Sequence, residues 1–296
     1  MLANFIDSSI SILANVKKKL AGQPAFDIKR YFSLPITAME KLSAIYSLAP
    51  DRAELLLTTL HDGLQQGLPE QFYFFHAEIL ANAIYPKYRF SDYARIHLED
   101  EDFLQYYQHF MDTNNWHSFD RKYTLAQLIK LTKNLTGDFA ECGTYKGASA
   151  YLMCVAAKNT NRLVHLFDSF EGLSDPGTYD GNYWESGRFK TSESEVLQNL
   201  SEFTNYRAYK GWIPDRFIEV ANRQFSFLHI DVDLYQPTLD SLKFFYERME
   251  KKGILLFDDY GFKTCPGAKL AIDEFFEKLP EPIIMLPTGQ AFGIKN

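Results

Sequence analysis

The chain has 296 residues, 46% hydrophobic and 16% aromatic, enough for one large domain or for a core domain with a smaller appendage. Its formal net charge is -7 and no basic run exceeds Lys17-Lys18-Lys19, which argues against a nucleic-acid or anionic-membrane surface and favours a small ligand. Cys142, Cys154 and Cys265 are odd in number and lack the C-x-x-C spacing, so neither a disulfide framework nor a zinc site is expected, and the reducing cytoplasm is the expected compartment.

At the start of the chain, positive charges follow the apolar residues rather than precede them, and Asp7 interrupts the run. No stretch reaches about 18 uninterrupted apolar residues, so neither a signal peptide nor a membrane span is expected. Residues 1–115 carry apolar positions at three- and four-residue spacing over 3–20, 36–48, 53–68 and 103–111, punctuated by Pro24, Pro35, Pro50, Pro69 and Pro86. The spacing predicts a helical N-terminal region, for which dimerisation, covering an active site and binding an acceptor are the open alternatives. His61, His76, His97 and His109 are scattered through it and read as packing or surface residues.

From about residue 120 strands and helices alternate, which implies right-handed crossovers and a doubly wound, mostly parallel sheet in a domain over 116–296. The pattern predicts helix 125–135, strand 138–142, helix 148–157, strand 163–167, a long polar loop, helix 193–200, strand 206–211 and helix 214–221. Two short apolar runs ending in acids follow. Phe225-Ser-Phe-Leu-His-Ile-Asp231-Val-Asp233-Leu-Tyr235 and Gly253-Ile-Leu-Leu-Phe-Asp258-Asp259-Tyr260 read as buried parallel strands aiming four carboxylates at the edge where such sheets bind ligands. Helix 237–249 separates them, helix 267–279 comes next, and the segments 282–286 and 291–294 form a terminal antiparallel hairpin.

The turn Glu141-Cys-Gly143-Thr144-Tyr145-Lys-Gly147-Ala-Ser149 places two glycines four apart between strand and helix, where backbone can approach a ligand and the helix start offers free N–H groups. Glu141 replaces the first glycine of a dinucleotide fingerprint. A carboxylate there repels a pyrophosphate but suits an ammonium or sulfonium group, such as the methionyl end of S-adenosylmethionine. Asp168, ending the second strand, suits ribose hydroxyls. Asp231, Asp258 and Asp259 are oxygen donors of the kind magnesium or another hard dication prefers, and like charges so close need a cation to offset them. Asp231 and Asp233 are the candidate catalytic pair: metal-bound Asp231 would orient a substrate hydroxyl, with Asp233 as general base. The alternatives are that the acids are helix caps, or that Asp231-Val-Asp233 is the Asp-x-Asp motif of metal-dependent glycosyltransferases, which it matches.

Taken in order, Arg121-Lys-Tyr-Thr-Leu, Gly137-Asp-Phe-Ala-Glu-Cys-Gly-Thr-Tyr-Lys-Gly-Ala-Ser-Ala, Phe167-Asp-Ser-Phe-Glu-Gly-Leu, Lys210-Gly-Trp-Ile-Pro-Asp, Ile230-Asp-Val-Asp-Leu-Tyr and Phe257-Asp-Asp-Tyr resemble the macrocin O-methyltransferase family over residues 120–296. The resemblance implies a Rossmann-like class I methyltransferase fold with seven strands, S-adenosylmethionine as donor, a magnesium ion and a hydroxyl acceptor. That acceptor is usually a natural-product or glycan sugar; a phenol or catechol is the alternative. It implies donor contacts from Glu141, Gly143, Thr144, Tyr145, Gly147, Ser149, Asp168, Ser169 and Phe170, metal ligation by Asp231, Asp258 and Asp259, and a base at Asp233. The glycine-rich, aromatic loop 171–195 would be a lid over the acceptor. A homodimer or higher homo-oligomer is expected.

Overall fold

A computed structural model describes residues 96–110 and 118–296. The helices expected over 3–20, 36–48 and 53–68, with His61 and His76, lie outside the described residues, as does the end of the 103–111 helix. Residues Asp100–Asn296 form a compact unit. Its elements are α1 (Glu101–Phe110), α2 (Phe119–Ile129), β1 (Asp138–Cys142), α3 (Ala148–Ala157), β2 (Val164–Asp168), α4 (Glu193–Asn199) and β3 (Tyr206–Lys210). They continue with β4 (Phe225–Ile230), α5 (Tyr235–Phe245), β5 (Met249–Phe257), α6 (Pro266–Phe276), β6 (Ile284–Met285) and β7 (Ala291–Ile294).

The seven strands form one sheet in the order β3-β2-β1-β4-β5-β7-β6. β1 to β5 pair in parallel, and β7 runs antiparallel to both β5 and β6, closing the expected terminal hairpin. Every residue of β1 and β4 is buried, because helices cover both faces. Phe139, Leu166, Phe227 and Leu256 pack on one face with residues of α1, α2 and α3. Ala140, Phe167, Leu228, Leu255 and Phe257 pack on the other with α5 and α6. Each of these Phe and Leu side chains contributes roughly 1.5–3 kcal/mol by leaving water. Strand order reverses between β1 and β4, and at such a switch point a crevice opens at the carboxyl ends of the strands.

Several boundaries differ from the sequence expectation. α2 begins at Phe119, where Ser118 caps it by accepting the Arg121 N–H. The expected helix 214–221 shrinks to a 3-10 turn over Phe217–Val220, whose two buried anchors are three residues apart, as that geometry requires. α5 starts at Tyr235, with Pro237 within the first turn, where no backbone donor is needed. β5 starts four residues earlier than expected because its exposed Lys251 and Lys252 precede the apolar run.

Candidate active site

The turn after β1 is built around one glycine. Gly143 has φ +86°, and a Cβ there would sit 1.8 Å from the carbonyl oxygen of Asp231, so only glycine lets the ends of β1 and β4 approach so closely. The Gly143 N–H donates to the Phe167 carbonyl and the Asp231 N–H to the Cys142 carbonyl, both at 2.9 Å, extending the ladders to the sheet edge. Asp168 fastens the same turn. Its Oδ2 accepts the N–H groups of Thr144 and Tyr145 at 2.8 Å, and its Oδ1 accepts that of Phe170 at 2.7 Å. Burial pushes its carboxyl up, while these three donors pull it back.

A cavity of about 520 Å³ lies above this edge. Gly143, Thr144, Tyr145, Ser149, Asp168 and Ser169 line it, as do Asp231, Asp233 and Asp259. Three expected donor contacts are placed elsewhere. Gly147 sits at φ +89° as the N-cap of α3, Phe170 is buried beside Asp168, and Glu141 lies fully buried beneath the turn. Glu141 Oε1 is 3.0 Å from His229 Nδ1, its register partner on β4, and Oε2 has no hydrogen-bond partner.

The four acids fall into two groups. Ligand atoms of His229, Asp231 and Asp258 lie within 4.8 Å of one another, as do those of Asp233, Asp259 and Cys265, so the expected metal set is divided between them. Asp258 is fully buried and ion-paired with Arg121; its other oxygen accepts from Gln290 Nε2 at 2.7 Å and lies 3.4 Å from His229 Nε2. Burial alone would raise Asp258, but Arg121, Lys122 and His229 outweigh it and hold the carboxyl well below the usual range. The other three are pushed up, first by burial and then by like charge: Asp231 by Asp258, Asp259 by Asp233 and Asp231, and Asp233 by Asp231, to about 7. The oxygen donors of such a set fit a hard dication, whose charge would offset their repulsion. Asp231 and Asp259 line the cavity, whereas Asp258 is fully buried and held by Arg121.

Loop 171–195 packs down on this edge. Asp180 is buried and accepts the N–H groups of Gly177 and Tyr235, both at 2.7 Å, tying the loop to the start of α5. Trp184 packs with Leu234, Cys265 and Ala268, and Tyr183 lines the cavity while half exposed.

Sequence reasoning assigned no chemistry to Arg121, Lys122, His229, Cys265 or Gln290. Lys122 carried a readable signal: with Leu125 and Ile129 it completes the buried stripe of α2, a charge where an apolar residue belongs. Gln290, which approaches from the terminal hairpin, carried none.

The macrocin-O-methyltransferase (TylF) family model matches residues 121–292. The chain belongs to the macrocin-O-methyltransferase family. Demethyldecarbamoylnovobiocin O-methyltransferase of Streptomyces niveus is 32% identical over 162 residues, 49% of this chain and 60% of that protein. The 8-demethyl-8-(2,3-dimethoxy-alpha-L-rhamnosyl)-tetracenomycin-C 4'-O-methyltransferase of Streptomyces olivaceus is 26% identical over 153 residues, 47% and 58% of the two chains. The chain thus spans about three fifths of these relatives. Among solved structures, the O-methyltransferase NovP superimposes with a TM-score of 0.53 at 26% identity, covering 62% of this chain and 83% of its own. The calicheamicin methyltransferase CalS11 shares the fold, with a TM-score of 0.54 at 17% identity over 92% and 98% of the chains. The expected fold class is therefore borne out, and membership in this family displaces the glycosyltransferase alternative. Among the described residues no helix is long and apolar enough to cross a membrane.

Proposed function

We propose that this chain is an S-adenosylmethionine-dependent O-methyltransferase acting on a sugar hydroxyl of a natural product or glycan, with magnesium held by Asp231, Asp259 and Asp258. The observation that carries this reading is that one cavity joins the Gly143 turn, the Asp168 strand end and the Asp231-x-Asp233 pair. The similarity to a methyltransferase of a rhamnosyl tetracenomycin supports a sugar acceptor. When bound, the cation would lower the pKa of the acceptor hydroxyl.

The protein's own groups supply the rest. Asp168 and the free N–H groups at the start of α3 position the donor. Asp233 takes the hydroxyl proton as the acceptor oxygen bonds to the methyl carbon and the carbon–sulfur bond breaks. Its carboxyl, near 7, is matched to that task at neutral pH. It is held in the left-handed region at φ 58° by its N–H bond to Asp259 Oδ2 at 2.9 Å, while the Cys265 thiol reaches Asp233 Oδ1 at 3.5 Å. Loop 171–195 would shield the transfer from water.

Incubation with S-adenosylmethionine and a panel of glycosides and catechols, read by mass spectrometry, tests this. Magnesium-dependent gain of one methyl group on a glycoside, lost in Asp233→Asn, is the expected result. Methylation of catechols alone would overturn the sugar assignment. The proposal extends to residues 1–115 as a dimerising or covering region in a cytoplasmic homodimer, and sedimentation showing a monomer at micromolar concentration would remove the dimer.

A further inference from the structure

Lys122 is buried, at 3% exposure, yet it lines the cavity. Its ammonium carries three donors. Among the described residues it makes one hydrogen bond, to Ser149 Oγ at 2.6 Å, and it stands 3.7 Å from Asp231 Oδ2, an ion-pair distance too long for a hydrogen bond. A buried ammonium with spare donors is costly unless something fills the space before it. Two further sets of donors belong to residues that line the same cavity. Thr144 Oγ1 is buried and has no hydrogen-bond partner, and α3, a ten-residue helix, begins at Ala148 beside Ser149 with its first N–H groups unmatched by helix carbonyls.

We infer that Lys122, with Thr144 and Ser149 at the start of α3, is the seat of the donor's α-carboxylate. The inference rests on the methyltransferase reading and adds a binding residue from outside the strand-end motifs. The arrangement selects the anion. A phosphate dianion on Lys122 would sit beside Asp231 and be repelled, whereas an α-amino acid is a zwitterion. A cation and a carboxylate 3.7 Å apart match its carboxylate and ammonium, the first on Lys122 and the second toward Asp231. Lys122 would thereby separate S-adenosylmethionine from nucleosides that lack the amino-acid end.

The test is calorimetric titration, in chelator, of S-adenosylmethionine and of its decarboxylated form into wild type, Lys122→Met and Thr144→Val. Wild type should bind S-adenosylmethionine roughly 10- to 100-fold more tightly than the decarboxylated compound, the range of a charged hydrogen bond. In Lys122→Met that preference should collapse toward unity, with affinity for the decarboxylated compound kept within about threefold. Thr144→Val, nearly isosteric, should lower the preference severalfold and carries the test if Lys122→Met does not fold. A preference unchanged in the folded variants, or equal weakening of both ligands, would make Lys122 a purely structural counter-charge and overturn the inference. If wild type bound neither compound, the methyltransferase reading itself would fall.

Discussion

A single methyl group at Gly143 should disable the site. In Gly143→Ala the new Cβ would lie 1.8 Å from the Asp231 carbonyl oxygen and 2.8 Å from its carbonyl carbon. Real Cβ contacts stay beyond 3.0 Å, so β1 or the end of β4 must retreat by about 1.2 Å, carrying the Asp231 and Asp233 backbone with it. The left-handed φ adds roughly 1–2 kcal/mol for a residue with a Cβ. With the displaced ladder bonds, the loss should come to about 2–4 kcal/mol, lowering the melting temperature by roughly 5–15 °C in a domain of this size. A shift of about 1 Å in reacting groups costs on the order of 100-fold in turnover. Calorimetric melting and methyl-transfer rates measure both effects. Gly177→Ala is the control, since its Cβ would meet only Asp180 Oδ2 at 3.5 Å. If Gly143→Ala melted and turned over like this control, the close approach of β1 and β4 would not be what holds the acids in place.

Asp259→Asn replaces a carboxyl that burial and repulsion push up with a group that does not ionise, so in chelator its melting temperature should rise relative to wild type as pH increases. Manganese binding, read by electron paramagnetic resonance, should weaken at least roughly tenfold in the same variant. Burial would raise Asp138, but hydrogen bonds from His165 and the Leu163 N–H, with the Arg223 charge, hold it below the usual range. Its contribution is present above the unfolded value of about 3.9 and lost as pH falls through the folded value, so the melting gap between wild type and Asp138→Asn should close from pH 5 toward 3. His229 is moved the other way: burial would lower it, but Asp258 and Glu141 raise it to about 9. In chelator its contribution is full below 6.5 and lost as pH rises through about 9, so wild type should lose its margin over His229→Asn across that window, and a flat difference would contradict the protonated assignment.

The strand-end chemistry was legible because parallel strands that bury both faces read as apolar runs, and their terminal acids stand out. β1 and α3 fall at 138–142 and 148–157 as expected, fixed by the Gly137 and Gly147 boundaries. Partners that come from elsewhere were not legible. Arg121 and Lys122 reach the acids from α2, Gln290 from the hairpin, and spacing within one motif says nothing about side chains that meet across the sheet. Glu141 and His229 were visible as letters, but the β1–β4 register that pairs them is a tertiary fact. That pairing turns Glu141 inward to His229, beneath the cavity where a donor contact was expected.

The most direct measurement is calorimetric titration of S-adenosylhomocysteine into the protein, with magnesium and again with chelator. Micromolar binding that survives the chelator is predicted, because the Gly143 turn, Asp168 and the start of α3 are held by protein hydrogen bonds alone. Absence of binding in both buffers would contradict the assignment of this cavity to a methyl donor.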